Sequence, residues 1–580
     1  MRTQTVIQRW RIWAILAALV AFTAYVGYRL FDVQVLENQV MATRIEDRIT
    51  ITNKILPNRG VIRDSKGYLL AGNSMANDLY IDKTYLSDTD LRTVTDLVAP
   101  VIGRSPDDLY QQVSTVTATN QLVYRRLDTD AATRIEQLQA RPLLRTSVQL
   151  LPEPRREYPN GSFAAQLLGF ADYDNQGQYG VEGFYDQQLA GQPGEVTAER
   201  DSAGRVLPMG DPQTKPAVDG DDLTLTIDSA VQFLAERELA RTMHDTGAAD
   251  GFILIMDPAT GAIIADASLP TYDPNDFTNV TDWNVFKNPI VQGQYEPGST
   301  FKIVTYSGSI DAGAITPDTT FYCKGTIYVY GWPISNSDVT AHGVESMWDG
   351  FGRSCNIAAD FAATQLGEDL FYKYVRAYGF GSPTGVDIAG EIPGTVHWLG
   401  NDDYSPIDLY TNAFGQGISV TPIQMITAVS AIANGGKLMK PYVVQSISHN
   451  GQVVQENQPM VVRQVVTPAT AATLRDMLVY DVEHGIGGMA KVPGYKIAAK
   501  TGTAQVPGTA GYNGVGTLAS VVGIVPAHDP RLVIYIKLQA PTNSPWGATT
   551  ASPALARLSA ELFQYYKIPP TEPVTPTPAP

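Results

Sequence analysis

Apolar residues near the start of the chain form a continuous run without helical or strand periodicity. Residues 12–28 carry no charge, and two further apolar residues extend the run past Arg29. About 20 such residues cross a bilayer as a helix, so we predict a membrane-spanning segment. Three arginines precede the run, which predicts a cytoplasmic N-terminus. Because the run contains no strict Ala-x-Ala cleavage signal, we favour an uncleaved anchor over a signal peptide.

The part of the chain between this run and the middle alternates between strand-like and helix-like patterns. Residues 49–55 alternate with period two and predict a strand, and residues 58–67 indicate a strand that ends in a tight turn at a glycine. Amphipathic helices are predicted at 88–102 and 106–113. Residues 201–220 are rich in glycine, proline and aspartate, which indicates a domain junction.

Beyond this junction, predicted strands lie on both sides of a group of predicted helices. The β-rich runs 251–257 and 262–267 flank a Pro-Ala-Thr-Gly turn and predict an antiparallel hairpin. A closing helix is predicted at 553–566, with Ser552 as its N-cap and Pro553 at its first position. The other predicted elements are strands at 223–227, 518–525 and 532–537, and helices at 229–242, from Ser299, at 354–366 and at 422–433.

These patterns predict an α+β fold, with helices packed on an antiparallel sheet. A chain of 580 residues is too long for one hydrophobic core. We therefore divide it into a cytoplasmic N-terminus with anchor (1–31), a mixed α/β non-catalytic domain (32–216), a larger α+β domain (217–566) and a tail (567–580). Six prolines among the last twelve residues predict that the tail is extended and disordered.

Composition and charge narrow the range of functions. The net charge of −17 argues against nucleic acid as the main partner, because no basic surplus exists to neutralise phosphate. Two cysteines, Cys323 and Cys355, cannot make a disulfide framework, and we expect both as free thiols. The six histidines form no HExxH motif, and the chain has no CxxC pair, so no metal site is predicted.

The first candidate for chemistry is Ser299-Thr300-Phe301-Lys302, at the start of a predicted helix. Side chains three residues apart project from one helix face, which places Ser299 as a nucleophile beside Lys302 as a base. The free N–H groups of a helix start also favour a developing negative charge. Alone this motif is weak, because about one Ser-x-x-Lys match is expected by chance in such a chain.

Two further motifs follow in the sequence. Ser354-Cys355-Asn356 opens the helix predicted at 354–366. Its hydroxyl and amide suit a proton relay and a peptide contact, although a plain N-cap by Ser354 is the simpler interpretation. Lys500-Thr501-Gly502-Thr503 follows an apolar run. On a strand, Lys500 and Gly502 would share one face and the two threonines the other. A glycine there lets a ligand approach the backbone closely.

The order and context of these three motifs resemble those of the penicillin-binding proteins. The resemblance extends to residues around the motifs, namely Gly298, His342-Gly343, Gly415-Gln416-Gly417, Thr421-Pro422 and Ala504-Gln505. The N-terminal region is similar to the pedestal of the monofunctional class B branch, in Arg59-Gly60, Asp64, Gly67 and Gly180-Val181-Glu182. One departure is Ala499, where a glycine often precedes the lysine. The resemblance covers nearly the whole chain apart from the tail.

The resemblance implies a D,D-transpeptidase that cross-links peptidoglycan by attacking the D-Ala-D-Ala bond of a stem peptide. It implies Ser299 as the nucleophile that forms an acyl-enzyme, and Lys302 as its base. Ser354, near Lys500, would pass a proton to the leaving amine. Substrate would be held by Asn356, Thr501, Gly502 and Thr503, with the N–H groups of Ser299 and Thr503 as the oxyanion hole. No cofactor is implied.

The resemblance also implies partners: lipid-linked stem peptides, β-lactam antibiotics, a SEDS-type membrane glycan polymerase and division proteins. Residues 401–417, 523–530 and 568–570 are more similar to the division (septal) type than to the elongation type, which stays open as the alternative. A membrane-anchored serine β-lactamase or β-lactam-binding protein also stays open, although no Glu-x-x-Leu-Asn stretch is present. A β-lactam sensor, a bifunctional class A enzyme and a scaffold without chemistry are less favoured.

Overall fold

The computed structural model describes residues 3–36, 50–199, 213–505 and 516–573. The chain forms two compact units, one made of Met1–Asn58 with Gly191–Asp219 and the other of Arg59–Ala190 with Gly220–Pro580. Most of the predicted junction (residues 201–212) and the end of the predicted disordered tail (574–580) lie outside the described residues. The four domain boundaries set from the sequence stay predictions.

The first unit contains a long apolar helix and a small sheet. The helix Thr3–Phe31 continues into a π-helical turn at Asp32–Leu36. Within the described residues, the stretch Arg9–Val35 is the one helix long and apolar enough to cross a membrane. The sheet is antiparallel and consists of Thr50–Ile55, Gly194–Glu199 and Gln213–Lys215. The strand predicted at 49–55 is therefore confirmed over Thr50–Ile55, and residue 49 lies outside the described residues.

The N-terminal part of the second unit is built on a seven-stranded mixed sheet. The short strand Ile62–Arg63 pairs in parallel with Asp222–Leu225, so the sheet joins segments from both sides of the predicted boundary at 216. In spatial order its strands are Gln452–Glu456, Val444–His449, Asp222–Leu225, Ile62–Arg63, Leu69–Asp82 and Asn120–Leu127, with Val148–Glu157 also paired to Leu69–Asp82. The helices of this part are Asp88–Val98, Ala99–Ile102, Pro106–Thr115, Thr129–Leu138, Pro142–Ser147, Ala165–Leu168, Gly180–Phe184 and Asp186–Ala190.

Buried charges hold the segments of this part together. Glu182 accepts hydrogen bonds from Arg59 Nε (2.7 Å), Arg156 Nε (2.7 Å) and Tyr158 OH (3.1 Å). Burial alone would raise the pKa of Glu182, but the Arg156 and Arg59 guanidiniums hold that pKa below its usual value. Removing one member of such a buried network would leave a charge without its partner, which costs several kcal/mol, about 3–5.

A five-stranded antiparallel sheet forms the centre of the larger domain. Its order is Ile263–Leu269, Asp250–Met256, Leu532–Gln539, Thr517–Val525 and Ala498–Gln505, with the last strand at one edge. The apolar side chains of the strands alternate between two cores. Ser229–Thr246 and Gly547–Tyr565 pack on one face, and helices that include Pro422–Ala433 pack on the other.

The remaining elements surround this sheet. The helices are Pro274–Asn279, Trp283–Phe286, Pro289–Gln292, Gly298–Phe301, Lys302–Asp311, Met347–Gly352, Asn356–Leu366, Glu368–Ala377, Asp408–Ala413, Pro468–His484 and Gly488–Ala490. The short strands are Phe170–Ala171, Gly177–Gln178, Thr320–Cys323, Thr326–Val329, Trp332–Ser335, Gly343–Ser346, Lys437–Met439 and Val461–Gln464. The predicted hairpin at 251–267 and the predicted helix at 422–433 are confirmed.

Two predicted helix starts are wrong. The closing helix begins at Gly547, and Pro553 lies inside it, because small buried residues ahead of the proline pack against the sheet in helical conformation. The helix after the Ser354 motif begins at Asn356, with Cys355 at the N-cap position. Ser354 does not cap it; a side chain from another segment, Asn336 Oδ1, accepts from the N–H of Asn356 at 3.0 Å.

Candidate active site

Ser299 lies in a short 3₁₀ turn, Gly298–Phe301, that leads directly into the helix Lys302–Asp311. Gly298 has φ +55°, a conformation that a side chain disfavours. Thr300 stabilises the turn, because its Oγ1 donates a hydrogen bond to the carbonyl of Pro297 at 2.8 Å. The sequence prediction that Ser299 lies beside a first helical turn is thus confirmed by the backbone.

The Gly415-Gln416-Gly417 segment holds this turn from the outside. The N–H of Gly298 donates to the carbonyl of Gly415 at 2.9 Å. A Cβ atom on Gly415 would lie only 2.2 Å from the Gly298 carbonyl oxygen, so only glycine permits this approach. The N–H of Gly417 donates to Glu296 Oε1 at 3.0 Å. The close approach thus requires glycine at 415, and the φ of +71° at Gly417 disfavours a side chain there.

Lys302 is completely buried beneath the Ser299 turn. Its Nζ donates to the carbonyl of Ser354, to Ser354 Oγ at 3.3 Å and to Asn356 Oδ1 at 2.8 Å. Burial, and next the positive charge of Lys500, lower the pKa of Lys302 to about 7, although Cys355 and two carboxylates oppose this shift. Burial beneath the turn therefore gives Lys302 a pKa close to physiological pH.

The Ser354 motif is placed by a strained backbone. Ser354 has φ +58°, which is uncommon for a residue with a side chain and costs free energy that the surrounding contacts must offset. The conformation directs both the carbonyl and the hydroxyl of Ser354 towards Lys302 Nζ. Asn356 Nδ2 donates to the carbonyl of Ser335 at 2.8 Å, so its amide is fixed at both ends.

The third motif lies on the edge strand Ala498–Gln505, as predicted. A Cβ atom on Gly502 would lie 2.4 Å from Ser520 Oγ on the neighbouring strand and 3.2 Å from the Pro297 carbonyl oxygen, so a side chain here would displace one of these neighbours. Lys500 is fully buried, and its Nζ forms an ion pair with Asp481 Oδ2 at 2.8 Å. The Lys500 ammonium thus contacts a carboxylate behind the cleft wall, and Lys500 is not among the residues that line the cleft.

These elements enclose a cavity of about 440 Å³. Five of the eight predicted site residues line it: Ser299, Ser354, Asn356, Thr501 and Thr503. The other three predicted site residues are buried behind the wall of the cavity. They are Lys302, Lys500 and Gly502. Other parts of the chain complete the cavity, including Asn336, Phe414, Gln416, Ile486 and Trp546.

Comparison with known proteins decides the family. The family model described as the penicillin binding protein transpeptidase domain matches residues 251–560, and the one described as the penicillin-binding protein dimerisation domain matches residues 54–225. The chain belongs to the penicillin-binding protein transpeptidase family. The dimerisation-domain match extends nine residues past the predicted boundary at 216, and the transpeptidase match lies within the predicted catalytic domain.

Relatives and solved structures agree with this assignment. The chain is 32% identical to stage V sporulation protein D of Bacillus subtilis (strain 168) over 96% of this chain and 86% of that protein. It is 34% identical to penicillin-binding protein PbpB of Mycolicibacterium smegmatis over 73% of this chain and 66% of that protein. The crystal structure of penicillin binding protein 3 from Mycobacterium tuberculosis in complex with aztreonam is similar at a TM-score of 0.69 and 26% identity, covering 91% of this chain and 100% of that chain.

The predicted class B resemblance and the predicted fold class are thereby confirmed. The chain is a class B penicillin-binding protein, with a dimerisation-type pedestal ahead of a transpeptidase domain. It is a member of the peptidoglycan D,D-transpeptidase family.

Sequence reasoning missed several side chains of the penicillin-binding protein's site. Asp481 contacts Lys500 from the helix Pro468–His484, and Asn336 holds both the Asn356 N–H and the Cys323 thiol. Asp360 lies one turn after Asn356, and burial raises its pKa well above the ordinary value. Neither carboxylate oxygen of Asp360 has a hydrogen-bond partner within the described residues. None of these residues belongs to a short motif, so no local signal points to them.

The two cysteines lie together beside the Ser354 motif. Their Sγ atoms are 3.6 Å apart, and both cysteines are buried free thiols, so Cys355 is not exposed at the edge of the site. Their sulfur atoms, a ring nitrogen of His342 and a carboxylate oxygen of Glu345 all lie within 4.8 Å of one another. Thiolate, imidazole and carboxylate donors of this kind could hold a transition-metal ion such as Zn²⁺. The spacing of these residues matches no compact metal motif, which is why no such group is predicted from sequence.

Proposed function

We propose that this protein is a membrane-anchored D,D-transpeptidase that cross-links peptidoglycan stem peptides through an acyl-enzyme on Ser299. The observation that carries the proposal is the buried amine of Lys302, which follows Ser299 by one helical turn and has a pKa of about 7. Such an amine can accept the hydroxyl proton of a serine at neutral pH. The family match over residues 251–560 supports the same chemistry.

In the acylation step, Lys302 takes the proton of Ser299, and Ser299 Oγ attacks the carbonyl carbon between the two D-alanines. The N–H groups of Ser299 and Thr503 stabilise the oxyanion that forms. When the C–N bond breaks, the leaving amine of D-alanine takes a proton that arrives from Lys302 through the Ser354 hydroxyl. The 3.3 Å contact between Lys302 Nζ and Ser354 Oγ supports this relay.

Substrate binding is assigned to the edge strand and to Asn356. The hydroxyls of Thr501 and Thr503 line the cavity and would bind the terminal carboxylate, with the charge of Lys500 behind them. Gly502 lets the strand approach the substrate and the neighbouring serine. Asn356 would exchange one of its present hydrogen bonds for the peptide amide, since both ends of its side chain already have partners.

In the second half-reaction, the amine of another stem peptide attacks the acyl-enzyme and restores Ser299. A β-lactam would acylate Ser299 in the same way and leave slowly. The similar Mycobacterium tuberculosis protein was solved in complex with aztreonam, which supports β-lactam binding at this kind of site. No cofactor takes part in the proposed steps.

We place the protein in septal wall synthesis, beside a SEDS-type glycan polymerase and division proteins. Support comes from the resemblance of residues 401–417, 523–530 and 568–570 to the division type. The apolar helix Thr3–Phe31 would anchor it as a single-pass protein in the bacterial cell membrane, with the N-terminus in the cytoplasm and the catalytic domain outside. An elongation role is the alternative, and the sporulation name of the Bacillus subtilis relative adds a third setting.

The test of the proposed chemistry is covalent labelling by a fluorescent penicillin. Wild-type protein should be labelled, and peptide mapping should locate the adduct at Ser299. The Ser299→Ala variant should lose labelling while keeping its melting temperature, because a half-buried hydroxyl contributes little to stability. Ser354→Ala should slow labelling without moving it. An adduct that persists in Ser299→Ala, or that maps to Ser354, would exclude Ser299 as the nucleophile.

A further inference from the structure

A buried carboxylate, Asp481, lies behind the active-site wall and contacts the lysine of the third motif. Its Oδ2 is 2.8 Å from Lys500 Nζ, and both side chains have no exposed surface. Its Oδ1 accepts the N–H of Gly487 at 2.9 Å, so both oxygens have partners. Because the pair is shielded from water, neither charge can be removed or displaced without cost.

The contacts of Asp481 continue to the cavity through a tight turn. The turn Gly485–Gly487 wraps around the carboxylate, and a Cβ atom on Gly485 would lie 2.7 Å from Asp481 Oδ1. Between these glycines, Ile486 lines the cavity and donates its N–H to the carbonyl of Gly352 at 3.0 Å. Asp481 therefore connects the edge strand, its own helix and the segment that leads into Ser354.

Lys500 is held on the other side by an aromatic ring. Its Nζ lies 5.5 Å from the centroid of Phe351, which belongs to the helix Met347–Gly352 just before the Ser354 motif. The ammonium is thus fixed between a carboxylate and a ring face, behind the threonine hydroxyls that line the cavity. In this position its field reaches the cavity, but its hydrogen bonds are directed to Asp481.

The same ion pair also affects the protonation of Lys302. Ionisable groups on several elements interact electrostatically with Lys302 through the protein interior. From the edge strand, Lys500 disfavours the charged form of Lys302. From the helix that begins at Asn356 and its N-cap, Asp360 and Cys355 favour the charged form, and Asp481 does so from its own helix. The two members of the ion pair therefore have opposite effects on the same base.

We propose that Asp481 is a positioning residue for acylation: it fixes Lys500 behind Thr501 and Thr503, and it limits the positive potential that Lys500 imposes on Lys302. This inference rests on the proposed transpeptidase function. With Asp481 as its partner, Lys500 can be buried near the base Lys302 without leaving an unpaired positive charge in the site. Asp481 does not touch the reacting atoms, and it acts through Lys500.

The test is the second-order rate of acylation by a fluorescent penicillin between about pH 5 and 10, a range that brackets the shifted and the ordinary lysine pKa. The Asp481→Asn variant keeps the shape of the side chain but removes its negative charge. Lys302 should then lose its proton more easily, so the acid limb of the profile should move to lower pH by about half a unit or more. The plateau rate should fall roughly tenfold, because Lys500 is no longer fixed.

Two further variants separate charge from packing. Asp481→Glu keeps the charge but displaces Lys500, so its plateau should fall while its acid limb stays at the wild-type pH. Asp476→Asn is the matched control, because Asp476 lies on the same helix and is more than half exposed. It should behave as wild type.

The outcomes are distinguishable. A slower Asp481→Asn with an unmoved acid limb, or with a limb moved to higher pH, would reduce Asp481 to a packing role. If Asp481→Asn does not fold, the Asp481→Glu variant provides the test. An acid limb of its acylation profile that moves away from the wild-type pH would then exclude the proposed effect of the Asp481 charge on Lys302. Absence of labelling in wild type and in Asp476→Asn would instead count against the proposed function, since those proteins have an intact pair.

Discussion

At the scale of single residues, Lys302 shows how burial converts an ordinary side chain into a candidate base. A lysine at its ordinary pKa of about 10.4 is almost wholly charged at pH 7. With a pKa of about 7, roughly half of Lys302 is neutral at that pH. Since the neutral amine is the reactive form, acylation should accelerate as the pH rises through 7 and then level off.

Replacing Lys302 by arginine tests this directly. Arginine keeps a positive charge and hydrogen-bond donors but does not release its proton. Lys302→Arg should therefore acylate as poorly as Lys302→Ala, more than tenfold below wild type, at every pH between about 5 and 10. The measurement is the second-order rate of labelling by a fluorescent penicillin.

The matched control is Lys437→Arg, because Lys437 is exposed on a short strand. It should label at the wild-type rate. If Lys302→Arg retained more than about a tenth of the wild-type rate, a loss below ~1.4 kcal/mol, Lys302 would act by its charge alone and the general-base role would be wrong.

Sequence reasoning reaches residues that are close along the chain but not those that meet across distant elements. The spacing of Ser299 and Lys302 fixes their proximity, because one helical turn sets it. Asp481 and Lys500 are 19 residues apart on a helix and a strand, and no periodicity indicates that they meet. The carboxylate of Asp360 is equally hidden, because a single aspartate in a helix is usually exposed.

At the scale of elements, the closing helix shows how tertiary packing overrides a local signal. Proline favours the first position of a helix, and that rule predicts a start at Pro553. The helix instead begins at Gly547, whose N–H donates to Thr503 Oγ1 at 3.2 Å. The helix start therefore rests against the edge strand that lines the cavity, which no local sequence rule describes.

This contact predicts an effect of Gly547→Ala on both stability and labelling. A Cβ atom there would lie 2.3 Å from the carbonyl oxygen of Ser520 and 2.4 Å from that of Gly502. Because both are backbone atoms, the strands must move, at a cost of about 1–3 kcal/mol. We expect a melting temperature several degrees lower and slower acylation by penicillin.

Gly488→Ala is the control for this variant, since its nearest atom would be the Val482 carbonyl oxygen at 3.7 Å, an ordinary contact. It should melt and label as wild type. A Gly547→Ala protein with an unchanged melting temperature and labelling rate would show that the strand edge adapts freely, contrary to the packing described.

At the scale of the whole molecule, the sequence predicts an apolar N-terminal segment, a pedestal and a catalytic domain mainly from differences in composition. The apolar helix and the α+β catalytic domain are predictable from the sequence. A long apolar run and an alternation of apolar and polar residues are each compatible with few kinds of structure. The mixed sheet is not, since it pairs Ile62–Arg63 with Asp222–Leu225 across a long stretch of chain. Pairing at such sequence distance leaves no local pattern.

The proposed anchor and septal role predict how the full-length protein behaves in cells and extracts. A fluorescent fusion should gather at midcell during constriction, and membranes should retain the protein in high salt because the anchor is held by apolar burial. A purified chain that begins at Asp32 should be soluble and still react with penicillin. Sidewall labelling would favour the elongation alternative, and release of full-length protein by salt would exclude a membrane span.

The burial of both cysteines has a practical consequence for spectroscopy. The chain contains two thiols in all, and Cys323 and Cys355 are 0% and 2% exposed. Cysteines introduced at two exposed positions, for example Asp476 and Lys437, would be the two thiols open to maleimide dyes. Donor and acceptor fluorophores could then be attached to the otherwise native chain, and distances followed in single molecules while a β-lactam enters the site.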